Sequence, residues 1–215
     1  MPKTIKASAP PHIFSEERAR VHLSQIAQRP HPFESADKVR VTNYIIAHSD
    51  SLRDMYGSGV IEVQTQNVTV IEHKYYDEHS YNALHEEAQI VNIALLVKGS
   101  KHDNLSKSNN GSSILVSCHY DGDSYGPAAS DGLNCATMLE MASVLSSSPI
   151  KLKRDVLFLF TDAKEVGLLG ATMFFEEEAH PWSLLPSVAI NLDNTGLCGK
   201  EMFQSSNSRY GAAAY

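Results

Sequence analysis

Several features that would narrow the function at once are scarce in this sequence. No hydrophobic run approaches the ~20 residues needed to cross a bilayer as a helix. There is no dense run of lysine or arginine, and the formal net charge is −7 at pH 7, which argues against a nucleic-acid partner. The first seven residues carry positive charge but lack the apolar stretch of a signal peptide. We therefore expect no membrane span and no signal peptide in this chain.

Cysteine is also rare. Cys118, Cys135 and Cys198 are too few for a disulfide scaffold and too scattered for a C-x-x-C zinc site. Buried thiols are the favoured interpretation, with a single disulfide and one remaining cysteine as the alternative.

What is present is the composition of an ordinary globular domain. The 215 residues are 42% hydrophobic and 20% charged, which suits one domain with a well-buried core. We expect residues 1–13 to be an extended lead-in and residues 14–215 to form the domain. Three N-glycosylation sequons, which begin at Asn67, Asn104 and Asn110, weakly favour a lumenal glycoprotein.

The hydrophobic pattern alternates between helices and strands. One helix is predicted from Ser15 to before Pro30, and a second ends near Gly57. Strands are predicted at 60–70, 90–97, 114–117, 156–160 and 187–192. A further helix is predicted after the third strand, and another, from Gly167 through Phe175, after the fourth. The order strand, helix, strand, helix, strand predicts an α/β fold with parallel β-α-β units.

Polar side chains follow three successive strands of this predicted sheet. His119 and Asp121 follow one strand, Glu165 follows the next, and Asp193 follows the last, while Asp131 precedes a helix. Taken singly, Asp131 could cap its helix and Glu165 could begin one. Ligands from the carboxyl ends of parallel strands meet at one edge of a sheet. Together the residues predict a site for Zn²⁺ or, less tightly, Mn²⁺ or Co²⁺.

Four motifs carry a resemblance to a known family. They are Cys-His-Tyr-Asp at 118–121, Ala-Ser-Asp at 129–131, Phe-Leu-Phe at 158–160 continuing to Ala-Lys-Glu-Val-Gly-Leu-Leu-Gly at 163–170, and Ile-Asn-Leu-Asp at 190–193. In this order and spacing the chain resembles the M28 family of zinc metallopeptidases. Within that family it is most similar to the branch of the endoplasmic reticulum metallopeptidases and vacuolar membrane proteases.

The resemblance implies roles for individual residues. His119 would be a ligand of one zinc, and Asp121 would orient its imidazole. Asp131 would bridge two zinc ions, Glu165 would bind the other zinc, and Asp193 would join His119 at the first. The implied fold is a mixed, mostly parallel sheet flanked by helices, as in zinc exopeptidases. The implied chemistry is metal-assisted hydrolysis of a peptide with a glutamate base.

The sequence departs from the family pattern at two places. Lys164 stands where the family has the glutamate that acts as general base, and an ammonium cannot accept a proton. The family's last zinc ligand is a histidine well after the strand that ends at Asp193. No histidine follows His180 in this sequence. We therefore expect a C-terminally incomplete domain, impaired catalysis and one well-held zinc rather than two.

Three functional hypotheses follow. The first is an aminopeptidase-like zinc exopeptidase domain, with its peptide substrate in the lumen of the endoplasmic reticulum or a vacuole. The resemblance implies a membrane anchor, and we expect membrane contact only through segments outside this sequence. The second hypothesis is a catalytically inactive, peptidase-like binding or scaffold module. The third is an α/β binding domain without metal, which requires all four motifs to be accidental.

Overall fold

Five strands form one sheet in the computed structural model, which describes residues 3–71, 87–102, 113–122, 128–177 and 179–194. They are β1 (Ile61–Ile71), β2 (Glu87–Val97), β3 (Ser113–His119), β4 (Val156–Thr161) and β5 (Pro186–Asn191). Their order across the sheet is β1-β2-β4-β3-β5. All six residues of β4 are buried, as the continuous apolar run at 156–160 predicts.

Strand direction divides the sheet. β3 pairs in parallel with β4 and β5, whereas β1–β2 and β2–β4 are antiparallel. The prediction of a mixed α/β fold is confirmed. His119 lies opposite Thr161, and Ser117 lies opposite Asn191, so the three parallel strands end at the same edge. This register places the segments that follow β3, β4 and β5 beside one another.

Three longer helices cover one face of the sheet. They are α1 (Glu16–Ile26), α2 (Ala36–Tyr56) and α3 (Leu133–Ser147). Ser15 and Ser35 cap α1 and α2 by accepting hydrogen bonds from the amides of Arg18 and Lys38. Gly57, with φ 80°, ends α2 in a left-handed conformation that glycine adopts readily. Burial of their apolar faces against the sheet forms the largest part of the core.

The opposite face carries a smaller cover. The helix predicted to begin at 167 is the short α4 (Leu169–Thr172), which continues as a turn of π-helix, Met173–Glu177. Phe174 and Trp182 from this region pack on β2, β3 and β4. Val188 and Ile190 on the edge strand β5 remain about half exposed. No helix of the described residues is both long and apolar enough to cross a membrane.

The favoured interpretation of the cysteines is wrong for two of them. Cys118, on β3, and Cys135, on α3, form a disulfide with their Cα atoms 6.0 Å apart, a separation within the usual range for such bonds. The sequence conceals this pairing because only the packing of α3 on β3 brings the two residues together. Cys198 lies outside the described residues, as do the sequons at Asn104 and Asn110. Asn67 is exposed on β1, and its glycosylation stays a prediction.

Candidate metal centre

Three predicted ligands converge at the carboxyl ends of the parallel strands. His119 is the last residue of β3, Asp131 lies in a turn of π-helix (Ala128–Gly132) that leads into α3, and Asp193 comes two residues after β5. One ligand atom from each lies within 4.8 Å of the other two. His119 and Asp131 are buried, whereas the Asp193 side chain is 34% exposed. The sequence prediction that strand ends unite these residues agrees with this geometry.

The two buried ligands face each other. His119 Nε2 is in direct contact with Asp131 Oδ2, and among the described residues neither atom has a hydrogen-bond partner. A buried polar atom left unpaired costs about 1–3 kcal/mol, so such a pair needs a compensating charge. Nε2 also lies 3.8 Å from Asp193 Oδ1. One imidazole and two carboxylates are a donor set suited to Zn²⁺, so the residues present fit the metal that the family implies.

Asp121 supports His119 from the opposite side of the ring. Nδ1 of His119 lies 2.9 Å from the Asp121 backbone oxygen and 3.3 Å from its Oδ1. Such acceptors place the ring proton on Nδ1 and leave the Nε2 lone pair directed at the ligand cluster. Burial alone would raise the Asp121 pKa, but the hydrogen bond and charge of His119, with two backbone amides, lower it below its ordinary value. Asp121 is thus placed to orient His119.

Burial also sets the protonation of the ligands themselves. It raises the pKa of Asp131 to about 6, although His119 and the side-chain amide of Asn134, which donates to Oδ1 at 3.0 Å, oppose the change. For His119, burial lowers the pKa, but Asp121 and Asp131 outweigh it and leave the pKa raised. Oδ1 of Asp131 therefore accepts a hydrogen bond from a side chain and does not cap the backbone of α3. The remaining oxygen is directed at His119.

Lys164 and Glu165 form the more exposed side of the site. Glu165 Oε1 lies 3.9 Å from His119 Nε2, outside the tight group of three, and its side chain is 41% exposed. The Lys164 ammonium lies 3.4 Å from Glu165 Oε1 and 3.6 Å from Asp193 Oδ1. Partial burial would lower the Lys164 pKa, but these carboxylates raise it above its ordinary value. A lysine cation therefore sits among the acids of the site.

The loop that carries Lys164 and Glu165 is held by a buried ion pair that sequence reasoning missed. Asp162 Oδ2 accepts hydrogen bonds from Lys38 Nζ at 2.7 Å and from the Val91 amide at 3.0 Å. The Lys38 side chain is only 6% exposed. Its spacing before Val41, Thr42 and Ile45, all buried on α2, is the signal that could have placed it on the inner face.

Other contacts fix the course of the same loop. Ala163 adopts φ 55° and Leu168 φ 60°, a left-handed conformation that non-glycine residues rarely take. The Glu165 amide donates to Asp121 Oδ2 at 3.0 Å, so one carboxylate touches both His119 and the loop. At Gly170, a Cβ would collide with the Asp162 backbone. The contact with Asp121 and the close approach of Gly170 to the Asp162 backbone therefore fix the course of this loop.

A groove adjoins the ligand cluster. Its volume is about 380 Å³, and its lining includes His119, Lys164 and Asp193 at one end. The apolar part of the lining includes Leu168 and Phe175. A peptide end could reach the ligand cluster from this groove. His31, which was not predicted as a site residue, clamps the chain after Asp121 because its carbonyl accepts from the Gly122 amide at 3.1 Å.

Comparison with known proteins shows the family of this chain. The model of Peptidase family M28 matches residues 101–214. The chain is 30% identical over 204 residues to a vacuolar membrane protease of Yarrowia lipolytica, an alignment covering 92% of this chain and 20% of that protein. It is 41% identical over 92 residues to endoplasmic reticulum metallopeptidase 1 of Mus musculus, covering 42% and 10% respectively. This chain thus spans only about a fifth or less of these relatives.

Solved structures share the fold. A glutaminyl cyclase of Porphyromonas gingivalis superposes with a TM-score of 0.62 at 18% identity, covering 84% of this chain and 59% of that one. The LapA aminopeptidase of Legionella pneumophila gives 0.57 at 18% identity, covering 85% and 43%. At such identities the likeness establishes the fold alone. The family model covers more than half of the sequence, and the chain belongs to peptidase family M28.

Proposed function

We propose that this chain is an aminopeptidase-like zinc exopeptidase domain, formed by residues 14–215, that acts on the N-terminus of peptides. The observation that carries the proposal is the contact between His119 Nε2 and Asp131 Oδ2, two buried atoms without hydrogen-bond partners. Asp193 completes the group within 4.8 Å. The names of the relatives support a lumenal setting in the endoplasmic reticulum or a vacuole.

Each residue has a defined task in this proposal. His119, Asp131 and Asp193 hold the zinc, Asp121 holds the His119 ring in place, and Glu165 contributes to a second, more exposed zinc position. When bound, zinc polarises the peptide carbonyl and acidifies a water molecule. The groove beside the cluster receives the substrate, and the carboxylates at its end attract the positively charged N-terminus of a peptide.

Lys164 weakens this activity in our proposal. An ammonium has three hydrogen-bond donors and no acceptor, so it cannot take the proton of the attacking water. Its position 3.4 Å from Glu165 and 3.6 Å from Asp193 also adds a fixed positive charge where the second zinc would bind. Loss of a general base typically lowers a rate by ~10²–10⁴. These contacts favour a second candidate function, a peptidase-like module that binds peptides without cleaving them.

The test compares hydrolysis of a peptide with a free N-terminus by the wild type and by the Lys164→Glu variant, both loaded with zinc. We expect slow cleavage by the wild type and a gain of about 10²-fold or more in Lys164→Glu. Lys153→Glu, the same change at an exposed lysine of another loop, is the matched control and should cleave at the wild-type rate. A peptide with a blocked N-terminus should resist cleavage.

The possible outcomes separate the two functions. Fast cleavage by the wild type would show that Lys164 does not impair the site. If neither protein cleaves any peptide but both bind the free N-terminus, the binding module is the better account. If Lys164→Glu and Lys153→Glu accelerate cleavage equally, the effect arises from overall charge rather than from a base at position 164.

A further inference from the structure

A basic surface lies at the end of the sheet opposite the metal centre. β2 ends there at Val97, β3 begins at Ser113 and β4 begins at Val156, whereas the ligand cluster lies at the other ends of β3 and β4. The loops at this end carry five basic residues, here called the basic platform: Lys98, Lys101, Lys151, Lys153 and Arg154. Four of them are exposed, whereas the Lys98 side chain is 14% exposed and pairs with Glu62. The platform contrasts with the chain as a whole, whose net charge is −7.

Two large aliphatic side chains stand among these charges. Ile150 is 80% exposed and Leu152 is 44% exposed, and both alternate with basic residues in the sequence 150–154. Ser148 fixes the turn that presents Ile150, because the Ile150 amide donates to Ser148 Oγ at 3.2 Å and Oγ donates to the Ile150 carbonyl at 2.9 Å. The turn therefore holds Ile150 in an exposed position next to the basic side chains.

Buried contacts join the two loops of the platform into one unit. Asp155, which is 2% exposed, accepts from the Gly99 amide at 2.8 Å and lies 2.8 Å from His102 Nδ1. The Ser100 amide donates to the Leu152 carbonyl at 2.8 Å. A Cβ at position 99 would lie 2.6 Å from the backbone of the neighbouring loop, so glycine permits the close approach. The basic side chains therefore project from a fixed base.

The same loops line an open pocket. Its volume is about 440 Å³, and its lining includes Lys98, Ser100, His102 and Lys151. Lys98 and His102 already pair with Glu62 and Asp155, whereas Lys151 is exposed and adds positive charge to the rim. The platform thus combines exposed positive charge with exposed aliphatic side chains beside it.

We propose that the basic platform docks on an anionic phospholipid membrane. Lysine and arginine side chains meet the headgroup phosphates, while Ile150 and Leu152 enter the boundary between headgroups and acyl chains. The exposed aliphatic side chains favour lipid over nucleic acid, which is bound by basic grooves with aromatic stacking residues. Docked in this way, the protein holds the metal centre at the end of the sheet away from the membrane.

The experiment measures co-sedimentation of the protein with lipid vesicles. One set of vesicles contains phosphatidylcholine alone, and the other contains phosphatidylcholine and phosphatidylserine in equal amounts. We expect binding to the second set that weakens as salt is added, since salt screens the attraction. Lys151→Gln/Lys153→Gln should lower the partition coefficient about thirtyfold, because each basic residue near an anionic surface contributes about fivefold.

Two further variants make the test specific. Lys3→Gln/Arg20→Gln removes the same charge at exposed positions elsewhere and should bind as the wild type does. Ile150→Ser should lower binding about tenfold, an effect that persists at high salt because it is apolar. All variants change exposed side chains, so circular dichroism should show an unaltered fold. Equal binding to both vesicle sets, or equal loss in the two double variants, would overturn the proposal.

Discussion

The buried and exposed halves of the metal centre are built in different ways. His119, Asp121 and Asp131 are at most 4% exposed. His119 ends β3 and is hydrogen-bonded to Asp121, and Asp131 lies in the turn before α3, where it accepts from Asn134. The other half consists of Lys164 and Glu165 on a loop and of Asp193 after an edge strand. Their side chains are 29%, 41% and 34% exposed, respectively. In our proposal His119 and Asp131 of the first half hold the zinc together with Asp193, and Lys164 and Glu165 of the second half limit the chemistry. We therefore expect that zinc binding and catalysis can be changed separately.

The largest expected effect comes from removing a buried ligand. Asp131→Asn keeps the volume of the side chain but removes its negative charge. The atom facing His119 then becomes either an amide nitrogen or a neutral oxygen, and both are much poorer ligands for a cation. We expect zinc affinity to fall by ~10²-fold or more, beyond the 10- to 100-fold typical of losing an outer partner. Calorimetric titration of the metal-free protein with zinc measures it. Unchanged affinity would mean that the buried half does not hold the metal.

The next effect tests how firmly the buried half is anchored. The disulfide joins Cys118, beside His119, to Cys135 across 17 residues of sequence. Closure of a loop of this length stabilises a protein by about 3 kcal/mol. Reduction by dithiothreitol should lower the free energy of unfolding by that amount. The Cys118→Ala/Cys135→Ala variant is the control, because the reductant should leave its stability unaltered.

A pH effect separates the helical cover from the metal centre. Burial lowers the pKa of His22 to about 4. Burial and the neighbouring His22 charge lower the pKa of His48 to about 4 as well, although the Glu140 carboxylate opposes the change. Their rings lie 4.4 Å apart between α1 and α2. The unfolded chain takes up these protons as pH falls through 6.5, before the folded protein does. Stability is therefore complete above pH 6.5 and is lost as pH falls towards 4.

The loss expected from His22 alone as pH falls to 4 is on the order of 3 kcal/mol, and the less buried His48 adds a smaller amount. Denaturant unfolding at several pH values measures it. His22→Gln/His48→Gln should flatten the profile between pH 6.5 and 4. His12→Gln, at an exposed position, should leave the slope as it is. A slope that survives the double substitution would place the acid sensitivity elsewhere.

The smallest effect is expected at the exposed half. Glu165→Gln removes a carboxylate that lies 3.9 Å from His119 Nε2 and already contacts Lys164. Because solvent and the lysine both weaken its attraction for a cation, we expect the affinity for the first zinc ion to fall by less than about tenfold. The zinc titration described for Asp131→Asn measures this affinity as well. Equal losses in the two variants would abolish the distinction between the halves.

Strand ends are the part of the site that sequence could predict. The apolar runs before His119, Lys164 and Asp193 mark parallel strands, and parallel strands end together, so their convergence follows from topology. The disulfide could not be foreseen, because it depends on how α3 lies on β3. The Lys38–Asp162 pair was missed because a lysine is rarely buried and its partner is 124 residues away.

The parts of the fold that sequence predicts carry local signals, and the parts that it misses carry none. The buried strand at 156–160 and the N-cap Ser15 are local signals, and the structure has β4 and α1 where they indicate. The antiparallel pairing of β1 and β2 depends on the course of the chain between the strands, which periodicity does not encode. The helix predicted through Phe175 is shorter because its end widens into a π-helical turn, a local geometry without a sequence signal.

The most direct test of the account is the zinc content of the purified, dialysed protein, measured by atomic emission. We predict about one tightly held zinc ion per chain in the wild type and almost none in His119→Ala, since Zn²⁺ needs its imidazole ligand. Glu165→Gln should retain the metal. A wild type without zinc, or a His119→Ala variant that holds as much zinc as the wild type, would contradict the claim that the buried half of this centre is a metal site.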